Sequence, residues 1–143
     1  MTMATVQPHV NDHPGYNVTL SSEAAAVPEI RRLARTACAA WNLSDEAANT
    51  AELLISEIAT NALKHGRSCS IRVKVERPCT DRVRVSVVDR SRCLAELRQA
   101  AVEDVSGRGL LIVDALSDRW GSDLLPWGKR MWAEIVVKVE DGR

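Results

Sequence analysis

The sequence contains no phenylalanine and few other aromatic residues, with one Tyr and four Trp among 143 residues. The core must therefore be built mainly from Leu, Ile, Val and Ala, with Trp at a few bulky positions. Hydrophobic residues still make up 45% of the chain and charged residues 27%, as in ordinary globular domains. The length predicts a single domain with one substantial core.

The chain also has no net charge, because 19 basic residues balance 19 acidic residues. A neutral chain has no overall electrostatic attraction to nucleic acid or to an anionic membrane surface, so we expect neither as a direct partner. No stretch approaches the roughly 18 apolar residues that a membrane helix needs. The N-terminus does not combine a basic segment with an apolar run, and we expect no signal peptide.

Metal-binding cysteine spacing is absent as well. Cys38, Cys69, Cys79 and Cys93 form no C-x-x-C pair and match no zinc framework. Such cysteines most often act as small, partly buried hydrophobic residues. Because free thiols are the usual state in a reducing compartment, we expect a cytoplasmic protein.

Residue periodicity predicts a single folded domain over residues 16–140, after a disordered tail at 1–15 that is polar and contains prolines. The predicted elements are a strand at 16–22, a helix from Pro28 to near Asn42, a helix at 45–65, hairpin strands at 69–77 and 82–88 joined by Pro78–Asp81, a short helical turn at 94–101, a helix from Gly107 to Gly121, and strands at 121–126 and 130–139.

The hairpin strands alternate between apolar and charged residues. This pattern is typical of an antiparallel sheet that is covered by helices on one face and solvated on the other. The predicted fold is therefore a two-layer α/β sandwich, with a mostly antiparallel sheet and helices on one face.

One face of the helix predicted at 45–65 is polar. Glu57, Asn61, Lys64 and His65 recur at helical spacing and share that face. Such stripes are most often solvated surface. The residue types also suit phosphate chemistry, because an Asn carbonyl oxygen can ligate Mg²⁺ and a Glu one turn away can accept a proton from an attacking hydroxyl group.

Two other segments carry groups suited to a ligand. Asp89 closes a predicted strand, where its carboxylate can accept a hydrogen bond from a ligand amine, although turn-forming Asp residues are common. Gly107, Arg108 and Gly109 open a helix before Leu110, and exposed backbone N–H groups at a helix start bind anions. The segment is neither a Walker A motif nor a G-x-G-x-x-G turn after a strand.

In this order and spacing, the motifs resemble the ATPase fold of the gyrase, Hsp90, histidine kinase and MutL (GHKL) superfamily. Within it, the chain looks most like small bacterial anti-sigma factors that are also serine-protein kinases. The resemblance covers roughly residues 17–139. The supporting strings are ELLISEIATNALKHG (52–66), VRVSVVD (83–89), SGRGLLIVDALSDRWG (106–121) and KRMWAEI (129–135).

The resemblance implies a role for each matching residue, with ATP and Mg²⁺ as cofactors. Glu57 matches the catalytic base, Asn61 the Mg²⁺ ligand, and Asp89 the acceptor of the adenine amino group. The remaining matches, which line the nucleotide pocket or approach the phosphates at the helix start, are Lys64, His65, Gly107, Arg108, Gly109 and Leu110.

The resemblance also implies an activity and partners. The chain would phosphorylate an anti-sigma-factor antagonist on serine, and would hold a sigma factor inactive until the antagonist displaces it. Relatives of this kind often form homodimers through the first strand and first helix, here residues 16–41. Trp41, Trp127 and Trp132 suit either partner contacts or the filling of core volume.

One segment departs from the family pattern. The superfamily usually reads D-x-G-x-G after the strand, whereas Asp89 is followed here by Arg-Ser-Arg-Cys. Glycine allows a close approach of the backbone to a nucleotide, and side chains narrow that space. The departure favours an alternative function, a non-catalytic module that binds a sigma factor or an antagonist with weak or no ATP binding.

Overall fold

The computed structural model describes residues 7–8, 14–65, 69–89 and 107–138. Within these residues, the sheet has the strand order β1-β2-β3-β4-β6-β5, and every neighbouring pair is antiparallel. The elements are β1 (Gln7–Pro8), β2 (Gly15–Ser21), α1 (Ala26–Ala40), α2 (Asp45–His65), β3 (Ser70–Cys79), β4 (Arg82–Asp89), α3 (Gly107–Leu116), β5 (Arg119–Leu125) and β6 (Gly128–Val136).

The helices cover one face of the sheet. Helix α1 packs on β2 and β3, α2 packs on β4 and β6, and α3 packs on α2. Alternate strand residues bury their side chains beneath the helices, as the period of two requires: Val18, Leu20, Ile71, Val73, Val75, Val83, Val85, Val87, Ala133 and Ile135. The predicted two-layer α/β sandwich is confirmed. We call the opposite side of the sheet the open face.

The central helix begins and ends where the sequence predicts. Ser44 precedes α2, and its Oγ accepts a hydrogen bond from the backbone N–H of Ala47 at 3.1 Å, so it acts as the N-cap. Three large apolar side chains, Leu54, Ile55 and Ile58, are at most 1% exposed. Their burial fixes α2 on the sheet. None of the described helices is long and apolar enough to cross a membrane.

The prediction for the third helix was wrong at its end, because α3 stops at Leu116 and both Trp120 and Gly121 belong to β5. Two hydrogen bonds account for this end. The Ser117 hydroxyl donates to the Val113 carbonyl oxygen at 2.5 Å, and the Asp118 N–H donates to the Glu134 carbonyl oxygen at 2.7 Å. The second bond carries the chain into the sheet instead of into another helical turn.

Two predicted turns are shorter in the structure. Pro78 and Cys79 belong to β3, beside an irregularity in register between Glu76 and Cys79. An irregular pairing tolerates a proline, which has no N–H to donate. In the last hairpin, the turn between the strands consists of Pro126 and Trp127 alone.

Parts of the sequence prediction fall outside the described residues. These include the helical turn expected at 94–101 and the segment after Asp89. Within the predicted tail, Gln7 and Pro8 pair with Asn17 and Tyr16 of β2.

A cluster of charged residues lies on the open face around Glu134, whose side chain is fully buried. Its carboxylate accepts hydrogen bonds from Arg84 at 2.7 Å and Arg119 at 2.9 Å, and Arg82 lies 3.4 Å away. The three arginines come from β4 and β5, the two neighbours of β6. A buried carboxylate is tolerated only with partners of this kind, and the cluster therefore ties the three strands together.

We expect Glu134→Gln to lower the free energy of unfolding at pH 7 by about 2–4 kcal/mol, because it leaves three guanidinium groups without their buried counter-ion. Urea denaturation measures the change. The matched control is Asp123→Asn, which removes a half-exposed ion pair with Arg130 and should cost less than about 1 kcal/mol. Equal losses in the two variants would contradict a special role for Glu134.

The wild type and Glu134→Gln should also differ in how their free energy of unfolding depends on pH. Burial alone would raise the pKa of the Glu134 carboxyl, but hydrogen bonds from Arg84 and Arg119 outweigh that effect and hold the pKa below its ordinary value of 4.5. The stabilisation is therefore complete above the unfolded-state pKa and is lost as the pH falls through the lower folded-state pKa. Between pH 5 and 3, the wild type should lose stability more steeply than Glu134→Gln.

Candidate functional site

The carboxylate of Asp89 lies beneath the helical layer at the end of β4. Asp89 is 1% exposed, and its strand position, two residues beyond Val87, directs it to the helix-covered face. It pairs in register with Lys129 of β6, which is 8% exposed. The buried Oδ2 atom accepts no hydrogen bond within the described part of the chain, although the residue has other interactions.

Asn61 approaches the same place from α2. Its amide nitrogen lies 3.7 Å from the Sδ atom of Met131 in β6. A thioether sulfur is a weak acceptor, so this contact leaves the amide free to exchange partners at small cost. Burial of Ile58 and Ala62 on the same helix holds Asn61 at this height above the sheet.

Asn61 and Asp89 line a common cavity of about 20 Å³ between α2 and the sheet. The other lining residues are Ile58, Ala62, Val87, Ser122, Lys129 and Met131. The cavity combines a neutral amide, a carboxylate, an ammonium group and a hydroxyl group on an apolar background. That combination is typical of sites that orient a small polar ligand.

Sequence reasoning missed Ser122, Lys129 and Met131. They lie in stretches where apolar and polar residues alternate as in any other strand, and no neighbouring residue marks them as ligand contacts. The signal that could have found them is the pairing of β4 with β6, because Asp89 opposite Lys129 brings the start of β6 to the predicted site. That pairing is not sequential along the chain, since α3 and β5 intervene.

The other predicted site residues are distributed as follows. Glu57 is half-buried one helical turn before Asn61, outside the lining of the cavity, and Lys64 is exposed. Helix α3 begins at Gly107, which confirms the predicted helix start, and Leu110 is half-buried. The side chains of His65 and Arg108 lie outside the described residues.

The donor set indicates which metal chemistry the site can support. No group of three His, Cys, Asp or Glu side chains that could hold a metal ion is found in the part of the chain that the structure describes. A dedicated protein cage for a cation is therefore not present there. A single amide oxygen from Asn61 fits Mg²⁺, which keeps most of its waters and shares its remaining ligands with phosphates.

Comparison with known families identifies the type of domain. Residues 20–129 match the model of the histidine kinase-like ATPase domain. The matched range runs from β2 to the start of β6, and it includes both Asn61 and Asp89. No match was found among curated proteins. With more than half of its length matched, the chain belongs to the histidine kinase-like ATPase domain family.

Proposed function

We propose that this ATPase domain binds ATP·Mg²⁺ between α2 and the sheet, and that it transfers the γ-phosphoryl group to a serine of an anti-sigma-factor antagonist while also sequestering a sigma factor. The observation that carries the proposal is the convergence of Asn61 and Asp89 on one cavity, although 28 positions separate them in the sequence. The resemblance to small bacterial anti-sigma factors supports the choice of substrate and partners.

Phosphoryl transfer needs little covalent chemistry from the protein. We assign Asp89 to the adenine amino group and Asn61 to the Mg²⁺ that neutralises the phosphates. The helix start at Gly107 supplies backbone N–H groups for the phosphates. Glu57 takes the proton from the serine hydroxyl as its oxygen attacks the γ-phosphorus and ADP leaves. These groups supply positioning and charge neutralisation, which are the main sources of rate in this chemistry.

Adenine does not fit the cavity as it stands, because 20 Å³ leaves room for about one water molecule. Binding must therefore displace a side chain, and Met131 is the best candidate. Its three side-chain torsions make it adaptable, and its contact with Asn61 is long. Moving Met131 would free the Asn61 amide and open the space beside Asp89 in a single rearrangement.

Calorimetry of ATP·Mg²⁺ binding tests the site. We expect Asp89→Asn to weaken binding at least about tenfold, because a buried charge-assisted acceptor is lost. Asn61→Ala should weaken binding in the presence of Mg²⁺ and have little effect with ATP in EDTA. The control is Thr60→Ala, an exposed neighbour of Asn61 on α2, which should match the wild type.

A kinase assay tests the role of Glu57. With labelled ATP and an antagonist-type protein, Glu57→Gln should reduce phosphoryl transfer by about 10²–10⁴-fold, while calorimetry shows nearly unchanged ATP affinity. Glu52→Gln is the matched control, because Glu52 lies on the same helix and pairs with Arg35 at 3.3 Å. Transfer by Glu57→Gln at the wild-type rate would contradict the assigned base.

A second function is favoured by the small size of the cavity and by the absence of glycine after Asp89. In that case, the chain is a non-catalytic module that binds a sigma factor or an antagonist, with weak or no ATP binding. The calorimetry decides between the two functions. No measurable heat from ATP·Mg²⁺ with the wild type would support the module and overturn the kinase.

A further inference from the structure

The open face of the sheet carries a groove of about 310 Å³ that lies behind the nucleotide cavity. The two share strands but not faces: Asp89 and Lys129 turn towards the helices, whereas their neighbours Val88 and Arg130 turn the other way. The groove is lined by three cations and three apolar side chains, which are Arg72, Lys74, Arg130, Val88, Leu125 and Trp127.

Positive charge dominates this groove. No carboxylate is among its described lining residues. Arg130 is held by Asp123, whose Oδ2 accepts hydrogen bonds from both Nε and Nη2 at 3.2 and 2.6 Å. Arg72 is exposed, and no ion-pair or hydrogen-bond partner for it occurs among the described residues. An exposed guanidinium group can pair with a carboxylate in the bidentate geometry that arginine favours.

Apolar surface lies directly beside these charges. Trp127 in the β5–β6 turn is 52% exposed. This exposure is unusual, because tryptophan side chains are mostly buried on average. Thr19 and Ser70 add hydroxyl groups to the opposite wall. The groove therefore suits a ligand that carries an anionic group and an apolar group a short distance apart.

The size of the groove limits the length of the ligand. A volume of 310 Å³ is enough for a few side chains, at the lower end of the range for ligand sites. A short segment of chain therefore fits the groove better than an extended nucleic acid strand or a flat membrane surface.

We propose that the groove formed by Arg72, Lys74, Arg130 and Trp127 binds a short acidic-apolar peptide segment of a partner protein. A carboxylate of the segment pairs with Arg72, and an adjacent apolar side chain packs on the Trp127 indole. The segment does not compete with nucleotide for space, because the groove and the cavity lie on opposite faces.

The test is a titration of the full chain with the capped peptide acetyl-Glu-Leu-Asp-Leu-Glu-Asp-amide, followed by calorimetry and by tryptophan fluorescence at low salt. We expect saturable binding and a change in emission that disappears in Trp127→Phe. Arg72→Gln should weaken binding about tenfold. Arg32→Gln, which removes an exposed arginine of α1 on the other side of the protein, should leave it unchanged.

Three probes separate the peptide from other ligands: the uncharged peptide acetyl-Gln-Leu-Asn-Leu-Gln-Asn-amide, a single-stranded oligothymidylate of six nucleotides, and vesicles of phosphatidylcholine and phosphatidylserine. The proposal is overturned if the acidic peptide does not bind, if Arg72→Gln binds it like wild type, or if any of these probes binds as tightly. Asp89→Asn should bind the peptide normally, so a failure of ATP binding and a failure of the groove are distinguishable.

Discussion

The antiparallel register of β4 and β6 sets Asp89 opposite Lys129, Val88 opposite Arg130 and Arg84 opposite Glu134. Since neighbouring residues of a strand point to opposite faces, a slip of one residue would move each of these side chains to the other side of the sheet. The cavity between α2 and the sheet, the basic groove and the buried charge cluster all depend on this pairing.

Burial of α2 fixes the other wall of the cavity. Leu54, Ile55 and Ile58 are almost completely removed from solvent, and each contributes about 1.5–3 kcal/mol relative to an exposed position. The helix therefore cannot move easily, and Asn61 stays close to Met131. The Met131 side chain is the more adaptable part of the site, because its contact with Asn61 is long.

The open face shows how the protein tolerates charge on a sheet. Glu134 is buried but surrounded by arginines, and the indole of Trp132 covers the space left by Gly121, where an added Cβ would lie 3.0 Å from the ring. The guanidinium of Arg84 lies 5.7 Å from the centre of the same ring, a cation–π contact. Arg72 and Trp127, by contrast, are exposed, and both line the groove.

Local patterns determined much of the fold from the sequence alone. The Ser44 cap and the glycine after His65 defined α2, and alternation defined the hairpin strands, because these signals depend on neighbours in the chain. Asn61 and Asp89 were predicted through the resemblance that their motifs carry.

The boundary between α3 and β5 was missed, since Trp120 fits the apolar pattern of a helix and of a strand equally well. Only the tertiary structure decided that boundary, through the hydrogen bond from Asp118 to Glu134. It also brought Ser122, Lys129 and Met131 to the cavity and gathered Arg72, Arg130 and Trp127 into the groove. These groupings follow from pairing between strands distant in sequence, which no local periodicity records.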